Sequence, residues 1–166
     1  MDRLFWGLIF VLLDWKITLG TAVIEILPDF LGFYFMMRGM EELAGKDRNF
    51  DRGRHGAFVL AVAGGVLFGA ELMNPDTRTQ VFLWVAGLGM LAATLILVRV
   101  AVRGVEAVTG RPGTLSSMWL VLAVLHCVCY LVNWIPLVGT VCGWVALGTG
   151  MLFLGCFYRE IRKSAE

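Results

Sequence analysis

The chain has 166 residues, 58% of them apolar and 16% charged, with a formal charge of +1 and a mean hydropathy of +0.77. A water-soluble domain of this length cannot hide so much apolar surface, because small domains keep a large fraction of their surface exposed. Disorder and a collagen-like chain are excluded, four cysteines do not make a disulfide-rich scaffold, and the near-neutral charge gives no footing for nucleic acid. The chain is predicted to be an all-α integral membrane protein.

Crossing about 30 Å of hydrocarbon takes about 20 helical residues. In chain order, helices are predicted over residues 4–15, 28–44, 57–73, 81–102, 118–134 and 137–158, a six-helix bundle forming one transmembrane domain over residues 1–166. The first is short: ten clean apolar residues precede Asp14-Trp15-Lys16. It reads as a full span or as a re-entrant start. The rival reading is a cleaved signal peptide, with Arg3 before the apolar run and a weak small-x-small site at Gly20-Thr21-Ala22. A partly apolar connector over residues 15–27 is expected to lie at the interface or dip into the membrane. Pro28 suits a first helical turn, and Asp29 suits the positive end of the helix dipole.

Loop charges predict the topology. The N-terminus, the second–third and fourth–fifth connections and the C-terminus carry twelve Lys and Arg, against Lys16 and Arg78 on the other side. The positive-inside rule then places both termini and residues 45–56 in the cytoplasm, with His55 on a basic loop facing anionic headgroups. Trp6, Trp15, Trp119 and Trp134 read as interface anchors near helix ends. Asp14-Trp15-x4-Gly20-Thr21 and Asn133-Trp134-x4-Gly139-Thr140 echo each other. The echo reads as a parallel repeat or as chance joined to the interfacial preference of Trp.

Close helix packing in lipid favours small residues. The stripes expected to serve it are Ala61-x3-Gly65-x3-Gly69, Gly139-x3-Gly143 and Ala146-x3-Gly150, with Gly89-x3-Ala93 on the fourth helix. They would pack the bundle, a second copy or a membrane partner subunit.

Two polar features stand out. Asp14, Glu25, Asp29, Glu71 and Asp76 map to the outer side, an acidic mouth suited to a cation or an amine, or else a set of capping and paired surface acids. His126 lies mid-span on the fifth helix, with Tyr130 at i+4 and Asn133 at i+7 on the same face. That line is either a solute or proton path or a neutral imidazole bonded to a neighbouring helix. Cys127, Cys129, Cys142 and Cys156 contain no C-x-x-C and read as buried thiols. No hydrolase, zincin, P-loop or dinucleotide motif is present. No catalytic residue, metal or cofactor is therefore expected. The function expected first is binding or transport of a small solute or cation, with Asp14, Glu25, Asp29 and Glu71 at the mouth and His126, Tyr130 and Asn133 inside. A non-catalytic accessory protein is the alternative, and an intramembrane enzyme ranks third because no nucleophile–base pair is evident.

Residues Ile26-Leu27-Pro28-Asp29-Phe30-Leu31-Gly32-Phe33, followed by Met37-Arg38-Gly39-Met40, resemble small bacterial polytopic membrane proteins with an LPDFxGY-like motif and no established activity. Phe33 stands where the motif has Tyr, and the resemblance is limited to about residues 1–45. It implies a bacterial cytoplasmic membrane and adds weight to Pro28, Asp29 and Gly32.

Overall fold

The computed structural model describes the backbone of residues 2–13, 16–19, 22–25, 29–72, 77–111, 113–132 and 135–163. Among these are six helices and one hairpin: α1 (Asp2–Leu12), β1 (Lys16–Leu19), β2 (Ala22–Glu25), α2 (Asp29–Leu43), α3 (Arg48–Leu72), α4 (Thr77–Thr109), α5 (Thr114–Val132) and α6 (Pro136–Lys163). β1 and β2 pair antiparallel, with Lys16 opposite Glu25 and Leu19 opposite Ala22. The expected connector is thus partly a β-hairpin.

Four helices, α3 to α6, are long and apolar enough to cross a membrane. α1 and α2, with 11 and 15 residues, rise only about 16 and 22 Å, short of a hydrocarbon core about 30 Å thick.

The long helices also outrun the apolar windows that reveal them. α3 starts at Arg48, nine residues before the expected start. Asp47 caps it: its Oδ1 accepts the Asn49 N–H at 2.7 Å, which satisfies a donor left open by the first turn. Residues 48–56 are therefore helix, not the basic loop expected there. α4 continues seven residues past residue 102 and stops at Gly110, whose φ of 67° suits a residue without Cβ. α6 begins on Pro136, where a missing N–H is harmless, and runs to Lys163.

Neighbouring helices run antiparallel. Gly39 of α2 sits on the Leu4 backbone of α1, and Gly7 of α1 on the Met36 backbone. Gly53 of α3 meets Met40 of α2 and Val100 of α4, while Gly104 receives the Phe50 ring. Trp119 Nε1 donates to Leu95 O at 3.0 Å, joining α5 to α4. Phe5 packs on Tyr158 with centroids 4.9 Å apart, so the start of α1 lies beside the end of α6. That face is called the terminal end below, and the opposite face the hairpin end.

The terminal end holds most of the dense core. Phe33, Met36, Met40, Phe50, Val98, Val102, Phe153 and Phe157 are fully buried there. Glu106, 8% exposed, closes this end from within. Its Oε1 accepts the Gly113 and Ser116 N–H groups at 3.1 and 2.9 Å, and its Oε2 accepts the Ser116 hydroxyl at 2.6 Å. A carboxylate from the last turns of α4 thus caps the start of α5, where orphan N–H groups and the helix dipole both favour negative charge.

The close contacts fall elsewhere than on the expected small-residue stripes. A Cβ at Gly7, Gly32 or Gly39 would come within 2.8 Å of a neighbouring helix, whereas one at Gly65, Gly69, Gly89 or Gly143 would meet nothing within 4 Å. Gly150 approaches Leu12 O at 3.8 Å, Ala146 is buried, and Ala61 packs on the core. The contacts of Gly139 lie outside the described set. Within the chain, then, backbone approach is made by the two short helices, which have little side-chain surface with which to adhere. Trp119, expected near a helix end, is half-buried against α4, with the Arg99 guanidinium 5.0 Å from its ring centre.

Candidate functional site

The cavity at issue follows from helix length. Because α1 ends at Leu12 and α2 begins at Asp29, the space beyond their tips is not filled by helix. A cavity of about 220 Å³ lies there. Its floor is Val11, Leu12, Asp29 and Phe30; its walls come from Gly64 to Phe68 of α3, Gly87 to Thr94 of α4, and His126 and Tyr130 of α5. The β1–β2 pair lies between these helices in the chain, Lys16 four residues after Leu12 and Glu25 four before Asp29.

The sequence-predicted residues divide two ways. Asp29, His126 and Tyr130, chosen from separate segments, line this one cavity. Asp14 and Asn133 lie outside the described residues, as do the Asp-Trp and Asn-Trp echoes and the side chains of Glu25, Glu71 and Asp76. The acidic mouth is therefore described only at Asp29, in the first turn of α2.

The hydrogen bonds at the wall share one direction. Tyr130 donates its hydroxyl to Trp84 O at 2.6 Å. Thr94 donates to Met90 O at 2.8 Å. His126 Nδ1 lies 2.9 Å from Leu122 O; a carbonyl can only accept, so the proton is assigned to Nδ1 and Nε2 keeps a lone pair. Each of the three side chains gives its proton to a helix carbonyl. These three side chains line the cavity together with Asp29, in the first turn of α2.

Packing fixes the geometry. The Tyr130 ring stacks on Trp84 with centroids 5.7 Å apart. Gly87 lets the Tyr130 hydroxyl approach α4: a Cβ there would lie 2.8 Å from it. Phe30 packs on Phe68 at 5.8 Å and closes the α2–α3 side. Trp84, Gly87 and Thr94 were not anticipated from sequence. They gain their role from the α4–α5 register, which no local spacing reveals.

Among the described residues no group of three His, Cys, Asp or Glu side chains could hold a metal. The four cysteines are free thiols. Cys129 donates to Cys142 O at 3.2 Å and helps join α5 to α6. A comparison of the chain with protein-family models, with curated proteins and with solved structures finds no match.

Proposed function

We propose that the chain is a six-helix membrane protein that binds a small cation or donor-rich solute, such as an amine, in the cavity between Asp29, His126 and Tyr130. The observation that carries this reading is the convergence of Asp29, His126, Tyr130 and Thr94 on one cavity, where the last three donate to helix carbonyls and Asp29 brings a carboxylate. A cation or ammonium group is the complement of such a surface, and ionisable groups within a membrane segment mark solute paths. At about 220 Å³ the space suits a few waters or a small amine, not a drug-sized ligand. Movement of that solute to the terminal end would make the protein a transporter. The bacterial cytoplasmic membrane is proposed from the motif around Asp29, and cytoplasmic termini from the distribution of Lys and Arg.

Titration calorimetry of the purified protein with methylammonium chloride, against choline chloride as a bulky control, tests the reading. Saturable methylammonium heat that Asp29→Asn removes without lowering the melting temperature is expected. Absence of saturable heat in the wild type, or an unaltered isotherm in Asp29→Asn, overturns it. If Asp29→Asn lowers stability and binding together, Asp29 serves the helix dipole and the charge is not the ligand group.

The accessory-protein reading has one observation of its own. Gly65, Gly69 and Gly143 meet nothing within 4 Å, which leaves surfaces where a second copy or a partner subunit could approach closely. Disulfide trapping of Gly65→Cys or Gly143→Cys variants in native membranes reports that association directly.

A further inference from the structure

A second concavity lies on the outside of the α3–α4 pair, toward the terminal end. Its volume is about 490 Å³, more than twice that of the internal cavity. Gly53, Gly56 and Val59 of α3 and Ala93, Ile96 and Val100 of α4 form most of it. Gly56 keeps the groove open, while Gly53 lets α3 close on Met40 and Val100. A Cβ at Gly56 would touch only Leu97 Cδ1, at 3.7 Å, so the floor is open. Val59 and Ile96 on its flanks are each 63% exposed, so the trough faces whatever surrounds the protein.

One end of this apolar trough is cationic. Arg52 and His55 line it. His55 Nδ1 bonds back to Asp51 O at 3.0 Å, which leaves Nε2 directed away from its own helix backbone. Arg103 follows Ile96 and Val100 at i+7 and i+3, on the same stripe of α4. The contacts of Phe50 with Gly104 and of Gly53 with Val100 set Arg52 and Arg103 at the same height on facing helices.

The nearby acids are engaged elsewhere. Asp51 pairs with Arg54 at 3.1 Å, Asp47 caps α3, and Glu106 caps α5. Both arginines are exposed, and among the described residues neither has an ionic or hydrogen-bond partner. An open apolar channel therefore ends at Arg52, with Arg103 one turn beyond Val100 on the facing helix, and neither guanidinium has an ionic partner among the described residues.

We infer that this groove is a binding site for an anionic phospholipid, with one acyl chain along Val59 and Ile96 and the headgroup phosphate between Arg52 and Arg103. Guanidinium matches phosphate with bidentate hydrogen bonds, and basic pockets between membrane helices suit anionic headgroups. Free phosphate would use the cations but leave the trough empty. A second copy of the chain would bring two like-charged rims together. The inference rests on the chain lying in a bilayer and not on cation binding at Asp29.

Native mass spectrometry of the protein released from nanodiscs tests it, using phosphatidylglycerol and phosphatidylcholine with identical acyl chains. The wild type is expected to retain phosphatidylglycerol preferentially. Each of Arg52→Gln and Arg103→Gln should weaken that retention about fivefold, as one juxtamembrane cation at a lipid surface implies. Gly56→Leu should fill the trough and reduce retention of both lipids, while millimolar inorganic phosphate should displace neither. Equal retention of the two lipids by the wild type, or undiminished retention in the exposed and fold-neutral arginine variants, overturns the site. Displacement by phosphate alone would mark a simple anion patch and overturn it too. Methylammonium binding should be unchanged in these variants, so failure here is distinguishable from failure of the Asp29 reading.

Discussion

The two ends of the helix pack are built on opposite terms. At the terminal end, backbones touch through Gly7 and Gly39, Phe50 fills the space left by Gly104, and the buried carboxylate of Glu106 accepts three hydrogen bonds. At the hairpin end, two helices stop short and a cavity opens, lined by Asp29, by His126 bonded to Leu122 O and by Tyr130 bonded to Trp84 O. The first arrangement leaves little freedom and fixes the pairing of helices. The second keeps a space near the middle of the long helices, where a polar group is costly unless it has a use. Dense packing and open space are therefore separated along the helix axes.

Substitutions can break that contrast, beginning with the largest effect. Phe50→Ala should destabilise by about 3–5 kcal/mol, because a fully buried ring leaves a cavity that backbone contacts cannot close. Gly39→Ala should cost about 3 kcal/mol, the upper part of the overpacking range, since its Cβ would meet Leu4 backbone atoms at 2.4 and 2.7 Å. Gly65→Ala, with nothing within 4 Å, should change stability by under about 0.5 kcal/mol. Thermal unfolding in a mild detergent compares all three, and equal effects of Gly39→Ala and Gly65→Ala would dissolve the distinction between the ends.

Glu106→Ala should cost about 2 kcal/mol by removing the α5 cap, and Glu106→Gln less, because one acceptor oxygen remains. Tyr130→Phe should cost about 1 kcal/mol for its bond to Trp84 O yet impair methylammonium binding, as an open-end residue should. The mildest probe alters nothing. Nitrogen-15 spectra of ring-labelled protein should find the His126 proton on Nδ1, and the Nε2–H tautomer would exclude the bond to Leu122 O.

The long helices were legible because their middles are uniformly apolar, but their ends were not. Residues 48–56 carry four basic side chains and no apolar period, so hydropathy stops where the hydrogen-bond ladder continues, started by Asp47. The hairpin at residues 16–25 was missed for a related reason: Ile17, Val23 and Ile24 fit an interfacial segment as well as a strand. Asp29, His126 and Tyr130 were visible because a charge at a helix start and a lone histidine in an apolar span are conspicuous by themselves. Gly87, Trp84 and Thr94 depend on how α4 and α5 slide against each other. Glu106 left a trace that went unused, as the only acid between Asp76 and Glu160.

The shortness of α1 and α2 has a consequence for how the chain is made. Translation delivers α1 before α2 and α3, and its 11 residues are too few to hold a transmembrane position unaided. Its partners on α2 are Met36 and Gly39, its contacts with Tyr158 and Gly150 of α6 come later in synthesis, and α2 in turn leans on Gly53 and Phe68 of α3. The expected outcome is that α1 stays peripheral until α3 has been made and is then held together with α2 as a pair. Chains arrested before residue 48 should remain extractable at alkaline pH, and chains arrested after residue 72 should not.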